Sequence, residues 1–290
     1  MMTKSILALA LSAALIACSS PTAPAQTTTN SPTPAPVEDQ PTPPATEAPA
    51  TPSTTQPLTV KIVPVDIQLP PCTKTPKKNC VSIKMSRVES NNQWVNEFFD
   101  KEIRAYGRVG KDMETKRDFA TYQEMADAFV KDSNESLKDS VAAYELEATP
   151  SYHGTHGNAH MFTLKGYTYW GGAHGQPTTM HYLVDPSAQK QLKLADLLEP
   201  NKLPAFTELA HDAYRTWIKQ HHPNDPKGHE EIYKFEIPPS ITFTDKGVLL
   251  HYQPYDIDAF AAGEQSLVVP YDKLRGILKP IYFPTNAGKG

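Results

Sequence analysis

The chain has 290 residues, enough for one large domain or two small ones and for a sizeable hydrophobic core. Its 28 basic and 32 acidic residues give a formal net charge of −4, so charge gives no reason to expect a nucleic-acid partner. The sequence holds no run of about 20 apolar residues, and we therefore expect no membrane-spanning helix in the mature protein.

The first 17 residues have the pattern of a signal peptide. Lys4 supplies the charged region, an apolar stretch follows, and Leu15-Ile16-Ala17-Cys18 looks like the lipobox of bacterial lipoproteins. The alternative is a plain secretory peptide that happens to end near a cysteine.

The lipobox implies that residues 1–17 are removed and that Cys18 carries acyl chains such as palmitate. More than one chain makes a stable membrane anchor. Because Ser19 rather than an Asp follows the cysteine, we expect sorting to the outer membrane in a Gram-negative cell, with the protein facing the periplasm.

Residues 18–57 differ in composition from the rest of the chain. Eleven of the 28 prolines lie within the first 57 residues, and residues 19–57 contain no Lys or Arg. Such a segment cannot bury enough apolar area to offset the entropy lost on ordering. We expect a disordered tether.

Cys72 and Cys80 are the remaining cysteine pair. Disulfides persist outside the cytoplasm, and the segments Val60–Leu69 and Val81–Val88 alternate like strands. We expect a disulfide that closes a hairpin loop. Two free thiols or a metal pair are the alternatives, although a zinc site needs a second pair of ligands.

Three amphipathic helices follow from apolar residues at helical spacing, over Trp94–Tyr106, Tyr122–Val130 and Pro204–Gln220. Thr121 and Glu124 fit a capping box at the start of the second helix.

Strand-like runs lie between and after these helices. Thr244-Asp245-Lys246-Gly247 predicts a hairpin turn in which Gly247 supplies a positive φ. The order of elements lacks strict β-α-β alternation, which indicates an α+β fold with an antiparallel sheet. The predicted strands are Ala143–Ala148, Ala159–Trp170, Thr178–Val184, Ile241–Thr244, Val248–Gln253 and Ser266–Val269.

Two sequence blocks are especially distinctive, Gly171-Gly172-Ala173-His174 and Ala261-Ala262-Gly263. With several other blocks of the chain, they resemble the RsiV-like family, also known as domain of unknown function 3298. Residues 58–165 resemble the N-terminal region that precedes this domain in that family and in some polysaccharide deacetylases. The other blocks are Tyr182-Leu183-Val184-Asp185, Gln191-Leu192-Lys193-Leu194-Ala195-Asp196-Leu197-Leu198, Phe243-Thr244-Asp245-Lys246-Gly247-Val248, Tyr255-Asp256-Ile257-Asp258-Ala259-Phe260 and Val269-Pro270-Tyr271.

The resemblance implies an N-terminal α+β region over residues 58–165 and an RsiV-like domain over 166–290. In the family's best-known members this extracytoplasmic domain is a lysozyme receptor that controls a sigma factor. Here a lipobox and a tether replace the membrane-spanning helix, so the chain is not expected to signal across a membrane by itself. Deacetylase activity is not expected, because no room remains for the catalytic domain.

The resemblance and the exposed residue types predict a binding site on two loops. Large aromatics beside carboxylates suit an interface with a basic partner. The predicted binding residues are Tyr169, Trp170, His174, Tyr255, Asp256, Asp258 and Phe260.

The sequence lacks the common catalytic and metal-binding motifs that would indicate an enzyme. The sequence has no His-Glu-x-x-His, no Gly-x-Ser-x-Gly and no phosphate-binding loop. His153, His156 and His160 are separated by glycines, and we expect a solvated loop rather than a metal site, and no cofactor.

These observations favour a lipid-anchored, extracytoplasmic binding module for a cell-wall component or a lysozyme-like protein. The alternatives are a small cell-wall glycan hydrolase, acting through His174 and a carboxylate or metal, and a structural envelope lipoprotein without a specific ligand.

Overall fold

The computed structural model describes residues 56–72, 80–137 and 142–284. The expected signal peptide, Cys18 and nearly all of the expected tether lie outside these residues. Within the described ranges, no helix is both long and apolar enough to cross a membrane.

A six-stranded sheet organises the first two thirds of the described chain. Its strands lie in sequence order, and every neighbouring pair is antiparallel except β2 and β3, which run parallel. Its strands are β1 Val60–Pro64, β2 Ser82–Ser90, β3 Glu145–His156, β4 Ala159–Tyr169, β5 Gln176–Asp185 and β6 Lys190–Leu192.

Three helices connect the parallel strands β2 and β3: α1 Gln93–Ala105, α2 Lys111–Glu114 and α3 Tyr122–Ser136. A crossover of this kind is what a parallel pair requires. The apolar faces of α1 and α3 build the first hydrophobic core with the sheet, where Phe99, Phe129 and Phe162 are fully buried.

The second part of the chain adds a three-stranded antiparallel sheet and three helices. The sheet has the order β7-β8-β9, and β7 and β8 are buried almost throughout. The elements are α4 Leu194–Leu197, α5 Leu203–His221, α6 Pro226–Ile232, β7 Ser240–Phe243, β8 Gly247–Tyr252 and β9 Gln265–Pro270.

Strand β4 contributes to two separate cores because its side chains alternate between the two faces of the sheet. Phe162 and Leu164 belong to the first core, whereas Ala159 and Met161 pack in the second core with α5 and the small sheet. The expected boundary between residues 58–165 and 166–290 falls inside β4.

The α+β class, the three main helices and the predicted strands are confirmed. The His-rich segment is not the solvated loop we expected: His153 and His156 lie in β3, which continues eight residues beyond the predicted end. A register shift between Tyr152 and Thr155 places Gly154 at a positive φ of 88°, and this bulge lets the strand continue.

The hairpin turn before β8 is present, but the expected role of Gly247 is wrong. Thr244 forms the turn by accepting hydrogen bonds at Oγ1 from the backbone N–H groups of Lys246 and Gly247. Gly247 is absent from the residues with positive φ, and a Cβ there would lie 2.1 Å from the Val269 carbonyl oxygen. Close approach of the neighbouring strand therefore explains the glycine.

Candidate functional site

The β4–β5 and β8–β9 loops converge and bring three aromatic rings together. The His174 ring stacks on Phe260 with 3.8 Å between ring centroids, and Tyr255 lies 5.4 Å from Phe260. We refer to His174, Tyr255 and Phe260 as the aromatic cluster. Tyr255 is 55% exposed, so the cluster presents ring surface to solvent.

Gln253 attaches the β8–β9 loop to strand β5. Its side-chain amide donates to the Thr179 carbonyl at 2.7 Å, and its Oε1 accepts the Thr179 N–H at 3.0 Å. Asp256 closes the turn by accepting the Gln253 N–H at 2.7 Å, and Tyr255 has a φ of 76°. This positive φ is uncommon for a residue with a large side chain. In this turn the Tyr255 side chain is exposed to solvent.

Glycines shape the β4–β5 loop. Gly171 and Gly172 have positive φ values of 95° and 89°, which side-chain-bearing residues rarely adopt. Tyr169 donates its hydroxyl hydrogen to the Gly172 carbonyl at 3.1 Å, and Trp170 is 38% exposed at the end of β4. The glycine-rich turn thus holds His174 at the position where it meets Phe260.

The seven predicted residues therefore divide into four groups. His174, Tyr255 and Phe260 form the aromatic cluster, Tyr169 and Trp170 lie at the base of the same loop as His174, and Asp256 is exposed beside Tyr255. Asp258 has a different environment, because its Oδ2 lies 2.9 Å from Nε2 of His222 at the end of α5.

His222 and His229 were not predicted as site residues. Their rings stack with 3.8 Å between centroids, and Nε2 of His229 lies 2.8 Å from the Ile257 carbonyl. Partial burial opposes the charge on Asp258, but the Ala259 N–H and His222 hold the pKa of that carboxyl below its usual range. The two histidines thus fix the inner side of the loop that carries Tyr255 and Phe260.

A second set of polar groups lies where β5 meets the small sheet. His181 and His251 meet edge to face with 5.3 Å between ring centroids, and Nε2 of His251 lies 3.6 Å from Oε2 of Glu264. Glu264 also accepts a hydrogen bond from the Thr179 hydroxyl at 2.9 Å. Within the described residues, Nε2 of His251 and Oε1 of Glu264 are buried without a hydrogen-bond partner.

Burial, together with smaller effects of His251, His153 and Lys165, lowers the pKa of His181 to about 4. Burial likewise lowers the pKa of His251. Both rings are therefore neutral at pH 7.

The three histidines of the His-rich segment each have separate partners. His153 Nε2 contacts the Thr163 hydroxyl, His160 Nδ1 contacts the Tyr152 hydroxyl, and His156 Nε2 contacts the Tyr282 carbonyl. Their hydrogen bonds run to different elements, so the structure does not bring these rings to a common point.

A disulfide links Cys72 and Cys80, with 5.9 Å between their Cα atoms. It closes the connection between the antiparallel strands β1 and β2, as the sequence predicts. The predicted lipidation site Cys18 lies outside the described residues.

Residues 195–272 match the family described as "Protein of unknown function (DUF3298)", and this part of the chain is a DUF3298 domain. The match covers α5, α6 and the small sheet, including Tyr255 and Phe260, whereas the Gly171-Gly172-Ala173-His174 block lies before it. No curated protein matches the sequence significantly.

Two solved structures resemble the fold. A DUF3298 family protein from Pseudomonas aeruginosa PAO1 is 20% identical with a TM-score of 0.65, covering 79% of this chain and 97% of its own. A DUF3298 family member from Bacteroides fragilis NCTC 9343 is 18% identical with a TM-score of 0.58, covering 77% of this chain and 94% of its own. At these identities the likeness is one of fold.

Proposed function

We propose that the protein is a lipid-anchored, extracytoplasmic binding module that recognises a cell-wall component or a lysozyme-like protein. The lipid anchor and the extracytoplasmic location are supported by Leu15-Ile16-Ala17-Cys18. The resemblance to RsiV-like receptors is supported by the sequence blocks described above. The binding role rests on the aromatic cluster.

The observation that carries the proposal is the exposure of stacked aromatic surface on two loops fixed by a rigid sheet. Exposed rings bury large areas on contact and are enriched at the centres of interfaces. Loops held by a stable scaffold are also where binding residues concentrate.

A groove beside the cluster supports the same role. It has a volume of about 490 Å³ and is lined by the last residue of α6, the α6–β7 connection and the β8–β9 loop, with Ile232, Tyr233, Pro238, Tyr255 and Asp256 among its residues. This volume lies in the range of ligand clefts. Tyr255 therefore belongs both to the aromatic cluster and to the wall of a groove that a sugar chain or a protein loop can enter.

Of the two carboxylates expected to attract a basic partner, Asp256 is the better candidate. Asp256 is exposed, whereas the Asp258 side chain is 15% exposed and is already paired with His222. If the partner is a cationic lysozyme, Asp256→Asn is expected to slow association and weaken its salt dependence.

A capture experiment tests the proposal. The purified protein is incubated in parallel with insoluble peptidoglycan and with immobilised lysozyme, and we expect retention on one of them. The supernatant over peptidoglycan is also assayed for released reducing ends. Retention on neither material would contradict the binding role, and release of reducing ends would favour the glycan hydrolase instead.

The membrane anchor has its own test. Cys18→Ala is expected to abolish labelling by radioactive palmitate and to leave the protein unprocessed or soluble. Labelling that persists in this variant would contradict the lipidation site.

A further inference from the structure

His222, His229 and Asp258 form a compact group of possible metal ligands behind the aromatic cluster. One nitrogen of each histidine and one carboxylate oxygen all lie within 4.8 Å of one another. The three residues come from the end of α5, from α6 and from the β8–β9 loop. His229 is buried, and the other two are half-buried.

Hydrogen bonds to neighbouring backbone groups hold two of these side chains in orientations that suit metal ligands. His229 places Nε2 at 2.8 Å from the Ile257 carbonyl, and a hydrogen donated there leaves the lone pair on Nδ1. Asp258 accepts the Ala259 N–H at Oδ1, at 2.7 Å, which leaves Oδ2 toward His222. Metal-binding histidines usually donate their second N–H to a carbonyl or carboxylate in this way.

We propose that His222, His229 and Asp258 bind a divalent transition-metal ion of the zinc class. Two imidazole nitrogens and one carboxylate oxygen are a donor set that zinc accepts, with a fourth position for water or a ligand. The ion replaces the proton shared by Nε2 of His222 and Oδ2 of Asp258.

Binding requires one side chain to move. The two imidazole rings stack face to face with an interplanar angle of 20°, whereas a metal ion must approach each ring nearly in its own plane. His222 is the ring that turns, because it is half-buried at the C-terminal end of α5 while His229 is buried and held by Ile257.

Metal binding would join the β8–β9 loop to α5 and α6. That loop carries Tyr255 and Phe260, so the ion would stabilise the loop without contacting either aromatic ring. The proposal concerns metal binding by this chain and holds whether or not the aromatic cluster recognises a cell-wall ligand.

The test is titration of the untagged, EDTA-treated full-length protein with Zn²⁺ in an isothermal calorimeter. We expect one site per chain, which Asp258→Asn and His229→Gln each abolish. His221→Gln is the matched control, because the neighbouring exposed ring directs Nδ1 to the Trp217 carbonyl and is expected to leave binding unchanged.

Two further measurements check the folding of each variant and the coordination of the bound ion. Melting curves without metal identify any variant that fails to fold, and Asp258→Asn is the informative variant if the buried His229→Gln unfolds. Co²⁺ added in place of Zn²⁺ should give the visible absorption of a low-coordinate nitrogen and oxygen site in the wild type and lose it in Asp258→Asn. Absence of a Zn²⁺ site in the wild type, or a site that persists in folded Asp258→Asn, would overturn the proposal.

Discussion

His181 illustrates how a single buried side chain makes stability depend on pH. The pKa of its ring falls to about 4 in the native protein because burial disfavours the charged form. In the unfolded chain the same ring titrates near the ordinary value of 6.5. Between these two values the unfolded state binds a proton that the native state does not, so stability decreases as the pH falls.

We therefore expect the contribution of His181 to the free energy of unfolding to be fully present above about pH 6.5. This contribution is lost as the pH is lowered toward 4. Since part of the ring faces water, His181 should contribute about 1–2 kcal/mol to this decline. Urea unfolding at pH 7 and pH 5 measures the effect, and His181→Gln should reduce the difference. An equal difference in the wild type and the variant would contradict this origin.

At the residue scale, the sequence predicted part of the candidate site. Gly171 and Gly172 mark a tight turn and the adjacent aromatics are visible in the sequence, so the two loops could be identified. The pairing of Asp258 with His222 could not, since 36 residues separate them and only the docking of α5 against the loop brings them together.

At the scale of elements, local sequence determines where α3 starts. Thr121 accepts the Glu124 N–H at its side-chain oxygen, at 3.0 Å, and Glu124 accepts the Ala120 N–H at 2.8 Å. The first contact satisfies an amide that the first turn of a helix leaves unpaired, and the second ties Glu124 to the chain just before the N-cap. The Ala120 N–H and Arg117 also hold the pKa of Glu124 below its usual range.

Thr121→Ala should lower the free energy of unfolding by about 1 kcal/mol, because the Glu124 N–H loses its acceptor. Thr121→Ser retains the hydroxyl and serves as the control, with stability close to that of the wild type. Chemical denaturation of the three proteins provides the comparison. Equal losses in both variants would show that the cap is not the cause.

The disulfide stabilises the connection between β1 and β2. Cys72 and Cys80 are eight positions apart, and closing a loop of this size removes entropy from the unfolded chain. The double variant Cys72→Ser, Cys80→Ser should lose about 2–3 kcal/mol of unfolding free energy by the loop-entropy estimate. Denaturation of the wild type with and without a reductant is the parallel control. An unchanged stability in both cases would contradict this contribution.

Element types were easier to predict than strand partners. The period-two pattern of β4 and β5 is visible in the sequence, and a short connection makes their antiparallel pairing the natural expectation. The parallel pairing of β2 with β3 depends on a crossover through α1, α2 and α3, which no local pattern reveals. The continuation of β3 past Pro150 was also missed, because proline usually ends an interior strand.

At the scale of the whole molecule, one sheet separates two hydrophobic cores and positions the candidate site. Side chains along β4 alternate between the two faces of the sheet. Phe162 packs in the core with α1 and α3, whereas Met161 packs in the core with the small sheet. Gln253, at the start of the β8–β9 loop, is hydrogen-bonded to Thr179 of β5. The loop that carries Tyr255 and Phe260 is therefore attached to the six-stranded sheet.

The most direct test of the proposed binding role compares the affinities of the wild type and Tyr255→Ala for lysozyme and for soluble peptidoglycan fragments. Tyr255 is 55% exposed, so its loss should leave the melting temperature nearly unchanged. Met113→Ala, at a 46% exposed apolar residue of α2, is the matched control. We predict that Tyr255→Ala raises Kd at least about tenfold for the ligand that the wild type binds, and that Met113→Ala leaves Kd unchanged. Equal affinities of folded Tyr255→Ala and the wild type, or no binding of either ligand by the wild type, would contradict the account.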